Sequence, residues 1–160
     1  MFTLVKDKSK WLRMKRNLRN GARQELQIGF FREDSYGAEN NNLPVATVAA
    51  WQDKGAPFIG DKHIPARPFM SVGLKDLLKS PVYTNKYKQS FLHVLESNST
   101  FSKEYHKLSI AVVPKLKKII DGWYTPPNTP STIEGKGFNN PLIETGKMKD
   151  SVRAKVSNIT

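Results

Sequence analysis

Three histidines, fourteen Asp and Glu residues and no cysteine are the side chains from which this chain would have to build a reactive centre. His63, His93 and His106 stand alone, and no HExxH-like pair puts two imidazoles on one helix face, so metal-assisted hydrolysis has no local basis. Each reads better as a structural or surface residue than as a ligand. Without cysteine there is no thiolate nucleophile, thiolate zinc site or disulfide. No serine sits in a Gly-x-Ser-x-Gly elbow. Gly135, Lys136 and Gly137 lack both the spacing and the preceding strand of a phosphate-binding loop, and read as a flexible basic turn. Glu33 and Asp34 with Glu39 offer oxygen ligands for a divalent ion, yet a polar, Asn-rich loop accounts for them more simply. Catalytic groups can still converge from distant positions, but the expectation is a chain that is not an enzyme, with no catalytic, metal or cofactor site.

Charge is the stronger signal. The net charge of +12 is uneven: residues 1–32 hold nine Lys/Arg against Asp7 and Glu25, whereas residues 33–74 hold five Asp/Glu against three Lys/Arg. Such an excess suits a polyanionic partner, either nucleic acid or the acidic face of a protein, and equally a plain solvated surface. At 160 residues and 38% hydrophobic, one domain over 1–160 is expected; a chain of this size buries roughly 68–70% of its unfolded surface. The apolar run Phe2 to Val5 is far too short for a signal peptide or a span of about 20 apolar residues, so neither secretion by that route nor a membrane is expected.

These residues need elements to position them. Phe2 to Val5 reads as a short strand and Lys8 to Asn20 as a helix, with Trp11, Met14 and Leu18 at helical spacing on one side and Asn20-Gly21 as a left-handed stop. Gln24 to Phe31 alternates as a half-buried strand, and Arg32 to Asn42 is a polar loop. Pro44 to Lys54 fits a helix ending at Gly55, after which Pro57, Pro65 and Pro68 impose an extended path to Phe69. A helix from Met70 to Lys79 is interrupted by Ser80-Pro81, and Tyr83, Tyr87, Phe91 and Leu95 mark the next at spacing four. Phe101 to Trp123 is the clearest amphipathic segment, with Tyr105, Leu108, Val112, Leu116, Ile119, Ile120 and Trp123 on one stripe and Pro114 expected to bend or split it. Residues 124–146, rich in Pro and Gly, show no periodicity and predict an extended arm. Thr145 can cap a short helix to Asp150, and Val152 to Val156 alternate as a final strand. The fold class expected is α+β: a small mixed or antiparallel sheet packed against a few helices, with a long extended Pro-rich segment before a C-terminal strand.

Within that arm, Pro127, Asn128, Pro130, Thr132, Ile133, Lys136, Gly137, Pro141, Leu142, Ile143, Thr145 and Gly146 fall on a pattern that resembles the C-terminal signature of phage neck and tail-completion proteins. Glu144 stands where that pattern usually has Asp, and Gly135 where a basic residue is common. A second block, Val45 to Trp51 with Gly55 and then Ile64, Pro65, Ala66, Arg67, Pro68 and Phe69, is similar to the central region of the same family. The resemblance covers roughly residues 24–156, although 73–100 agree only in helical character.

The resemblance implies a structural virion protein of the head-to-tail connection of a long-tailed bacteriophage, assembled in the host cytoplasm as a symmetric and sixfold ring of identical subunits around the DNA channel. Its partners would be portal or connector, stopper or tail-tube proteins, with no small-molecule substrate. Proline-rich segments lose little entropy on docking, so Pro127, Asn128, Pro130, Thr132, Ile133, Pro141, Leu142, Thr145 and Gly146, with Pro65, Arg67, Pro68 and Phe69, are the expected interface, the arm lying across a neighbour. Lys10, Arg13, Arg16 and Arg19 would face either genomic DNA, gripped without base reading, or an acidic protein, the latter slightly preferred because a conduit that holds DNA tightly impedes ejection. A sequence-independent nucleic-acid-binding module is the competing reading, carried by charge and Trp11 alone because no nucleic-acid-binding motif is present. A host-wall hydrolase has only scattered carboxylates in its favour.

Overall fold

The computed structural model describes residues 8–59, 62–96 and 98–159; the strand expected at Phe2 to Val5 lies outside them. Among the described residues the order is α1 (Lys8–Gly21), β1 (Gln24–Gly29), α2 (Val45–Lys54), β2 (Ala56–Ile59), β3 (Lys62–Ile64), α3 (Phe69–Lys79), α4 (Pro81–Leu95), α5 (Phe101–Asp121), α6 (Pro130–Lys136), α7 (Lys147–Asp150) and β4 (Arg153–Asn158). This is an α+β chain in which β1 pairs with β4 and β2 with β3, the second pair antiparallel. The polypeptide forms two compact units that interleave in sequence: unit 1 holds residues 1–27, 79–111 and 154–160, and unit 2 holds 28–78 and 112–153.

In unit 1, α1 packs against α4. Met14 and Leu18 are half-buried as their spacing requires, but Trp11 is 56% exposed, so the apolar side of α1 is narrower than its sequence suggests. Gly21 does not end the helix through a left-handed turn. It is the last helical residue, and a Cβ there would come within 1.8 Å of Phe101 Cδ2, so contact with Phe101 rather than backbone conformation demands glycine. Gly21→Val should therefore lower stability by about 2 kcal/mol through overpacking, and adding Phe101→Ala should restore part of it, a coupling that a chemical-denaturation double-mutant cycle would measure. On α4, Pro81 occupies the first turn, where its missing N–H costs nothing. Tyr87 and Phe91, which share the spacing that marks this helix, are 60% and 41% exposed, and among the apolar residues of α4 only Val94 is buried.

In unit 2 the core is denser: Val45, Ala49, Phe69, Leu77, Leu116, Ile120, Leu142, Met148 and Val152 are all buried. Pro44 immediately precedes α2 as expected, and Gly55 closes it at φ 78°, where a Cβ would meet the Ala66 nitrogen at 3.0 Å. Asp53 near the end of α2 accepts from the Met70 and Ser71 amides at 2.8 and 3.3 Å, so it satisfies orphan donors at the start of α3. α7 packs against α2, and Phe30 meets Phe69 edge-on with ring centroids 6.2 Å apart. The loop at 32–42 holds a single 3-10 turn at Ala38–Asn40, with Asn41 and Asn42 in the left-handed region that asparagine tolerates.

The structure narrows two expectations about long segments. Pro114 does not split α5, which is continuous from Phe101 to Asp121; the ring interrupts the hydrogen-bond ladder at one step and the flanking turns hold. Nor is 124–146 wholly extended. Thr129 caps α6 by accepting from the Thr132 amide, Pro130 sits in its first turn, and Gly137 closes it at φ 76° with its N–H on the Ile133 carbonyl. Gly135, Lys136 and Gly137, expected as a flexible turn, are the end of that helix. At α7, Thr145 Oγ1 accepts from the Lys147 amide at 3.3 Å, one residue ahead of the Gly146 cap position.

Candidate partner-binding site

The two sequence blocks meet at one buried side chain. Arg67, 5% exposed, donates from Nε to the Pro126 carbonyl at 3.0 Å, from one terminal nitrogen to Gln52 Oε1 at 2.6 Å and from the other to the Pro127 carbonyl at 3.4 Å. Its own amide donates to the Gln52 carbonyl at 2.7 Å. The planar fork suits this job, since it reaches three acceptors on two segments at once. Burial works against the charge and lowers the guanidinium pKa, and the hydrogen-bond acceptors set against it are neutral oxygens rather than a carboxylate.

A second buried polar group fixes the other end of the segment. Asn140, 7% exposed, donates from Nδ2 to the Ile120 and Asp121 carbonyls at 3.3 and 2.9 Å and accepts from the Leu142 amide at 2.9 Å. It thus caps the C-terminus of α5 and turns the chain so that Pro141 and Leu142 are buried. Lys136 Nζ donates to the Asn140 carbonyl at 2.9 Å and lies 4.9 Å from the Phe138 ring centroid. Residues 124–146 therefore find their order on their own unit, which corrects the expectation of an arm ordered only against a neighbour.

Held in this way, the segment forms one side of an open cleft of about 1090 Å³ within unit 2. Val48 and Gln52 of α2, His63 of β3, Pro65 and Tyr36 line it opposite Asn128, Thr129, Ser131, Thr132 and Lys136, with 141–148 closing the end. Glu144 is close enough to influence two neighbours: the Tyr36 hydroxyl pKa is raised by burial and then by Glu144, and the Lys136 ammonium pKa is lowered chiefly by burial, with Glu144 opposing and Arg67 reinforcing the shift. Asn128 Nδ2 is buried with no hydrogen-bond partner in the structure, although its backbone amide donates to Asn139 Oδ1 at 3.2 Å. An orphan donor of this kind costs about 1–3 kcal/mol.

Of the interface residues expected from sequence, Asn128, Thr132, Pro65, Pro141, Leu142, Thr145 and Gly146 line the cleft. Pro127 supplies a carbonyl to Arg67, Phe69 is buried, Pro68 and Ile133 are half-buried, and Pro130 is exposed at the start of α6. Arg67 is buried and is not among the residues that line the cleft. Lys10, Arg13, Arg16 and Arg19 are exposed on α1 in unit 1. Gln52, Asn140 and Tyr36 were not foreseen; Asn140 alone carried a hint, as an amide just ahead of Pro141.

The remaining chemistry-bearing residues have structural partners. Glu33 and Asp34, weighed as metal ligands, receive Arg153 at 2.9 and 2.6 Å, and that guanidinium also covers the Phe31 ring at 5.2 Å. Among the described residues no group of three His, Asp or Glu is placed to hold a metal ion, and no helix is long and apolar enough to cross a membrane. In unit 1, the Glu104 side chain is 3% exposed, 2.8 Å from Lys107 Nζ and 3.7 Å from His93 Nδ1. Burial pushes its pKa up, but hydrogen bonds from Lys107, Ser99 and Ser90 and the Lys107 charge outweigh this, so the folded value lies below the usual 4.5. A depressed carboxyl pKa contributes stability above the unfolded value and loses it as pH falls through the folded one. Unfolding free energy should therefore drop on acidification below about pH 4.5, and Glu104→Gln should cost about 2 kcal/mol at neutral pH while flattening that acid limb.

Compared with known protein families, curated proteins and solved structures, the chain matches none.

Proposed function

We propose that this chain is a structural subunit of the head-to-tail connection of a tailed bacteriophage, assembling as a symmetric ring, sixfold by the family resemblance, between portal and tail proteins. What supports the reading is the meeting of the two sequence blocks: Arg67 of the central block is hydrogen-bonded to the Pro126 and Pro127 carbonyls, at the head of the C-terminal block, and residues of both line one cleft. In this reading the segment 124–146 is a rigid wall, and the cleft is a socket for chain contributed by a neighbouring subunit or layer. The protein acts by shape and contact, without catalysis.

Sedimentation and electron microscopy of the purified chain over rising concentration, together with imaging of virus particles, test this. Rings, and density at the neck or upper tail that fits an α+β subunit, are expected. Thr132→Arg, at an exposed position lining the cleft, should prevent ring formation without altering the thermal melt. A monomer at every concentration, absent from the particle, would overturn the proposal.

A further inference from the structure

The division into two units sorts the charge. By sequence, unit 1 carries fourteen Lys/Arg against four Asp/Glu, net +10, whereas unit 2 carries twelve against ten, net +2. Among the described unit 1 carboxylates, Glu104 is buried against Lys107, Glu25 accepts from Gln27 and Ser157, and Glu96 accepts from Asn98. The outward field of unit 1 is thus strongly cationic, with only Glu104 among its described carboxylates buried. Arg13, Lys15, Arg16 and Arg19 are all exposed on α1.

Open aromatic rings accompany that charge. Trp11 on α1 is 56% exposed, and Tyr87 and Phe91 on α4, the helix against which α1 packs, are 60% and 41% exposed. Phe91 continues into Phe101 and Tyr105 on α5, with centroid spacings of 6.1 and 5.8 Å.

From these observations we infer that unit 1 is a sequence-independent binding surface for nucleic acid, with α1 cations on the phosphates and the open rings stacking unpaired bases. Cationic tracks beside aromatic faces are how single strands are held without base reading. Unit 1 of a second copy is disfavoured as the occupant, because each unit 1 carries +10. An acidic protein face would match the cations, but only a strand of bases offers a planar partner to each open ring beside them. Binding of this type is salt-sensitive and weak at physiological ionic strength, so it guides a strand without arresting it. The inference stands on unit 1 alone, and a ring without DNA affinity and a DNA-binding chain without rings are separable results.

Fluorescence anisotropy of the full chain with a labelled oligothymidylate, a duplex of equal length and a polyglutamate competitor provides the test. The single strand is expected to bind tighter than the duplex. Arg13→Gln with Arg16→Gln should flatten the slope of log K against log salt by about 1.4, two phosphate contacts at about 0.7 each. Trp11→Ala or Tyr87→Ala should weaken the single strand about tenfold, on the order of one stacked base, and leave the duplex unchanged; circular dichroism confirms that each variant is folded. Absence of binding at low salt, indifference to all four substitutions, or polyglutamate competing as well as unlabelled oligothymidylate would overturn the inference, the last in favour of an acidic protein partner.

Discussion

Replacing Arg67 with methionine should cost about 3 kcal/mol and lower the melting midpoint by roughly 6–12 °C. The loss has two parts. Methionine fills much of the volume, but the Pro126 and Pro127 carbonyls and Gln52 Oε1 lose a donor each, and an acceptor left dry costs more than a hydrogen bond formed in water gains. Arg67→Lys keeps the charge and should still lose most of the effect, because one ammonium cannot span acceptors on α2 and on the proline segment together. Limited proteolysis distinguishes this from general destabilisation: cleavage within 124–136 should accelerate in both variants while the rate of cutting within unit 1 stays at that of the parent.

The second large effect belongs to Asn140. Asn140→Ala removes the cap from the last α5 carbonyls and the acceptor for the Leu142 amide, for a loss of about 2–3 kcal/mol. Asn140→Asp should be worse at neutral pH, since it aims a carboxylate at two carbonyl oxygens at the negative end of α5. The sign of its pH dependence is diagnostic. A carboxyl disfavoured in the folded state has a raised folded pKa, so its penalty is full above that value and disappears below the unfolded pKa of about 3.9. Urea denaturation should find this variant recovering stability on acidification, over the range where the parent loses the Glu104 contribution.

The pattern of helices was legible because apolar spacing and proline placement act locally. Pro44, Pro81 and Gly55 mark boundaries that the structure shares, and Leu116 and Ile120 are buried as their stripe requires. What sequence could not show depends on contacts between distant residues. Gly21 reads as a cap until Phe101 is placed beside it, and Arg67 reads as an interface residue until Pro126 and Pro127 arrive from some sixty residues away. The wall formed by 124–146 was missed for the same reason: its order rests on Asn140 and Arg67, not on any periodicity of its own. Tyr87 and Phe91 mark a helix by their spacing, yet α4 buries only Val94 among its apolar residues, since periodicity reports which residues share a face and not whether that face is covered.

The uneven distribution of interior side chains has a kinetic corollary. Every buried aliphatic or aromatic side chain except Val94 belongs to unit 2 among the described residues, so the opening free energies of the two halves should be far apart, α1 and α4 exchanging amide hydrogens well before α5 beyond Val112. A ligand that lands on the looser half would announce itself there first, as slowed deuterium uptake, before any change in the melting of the remainder.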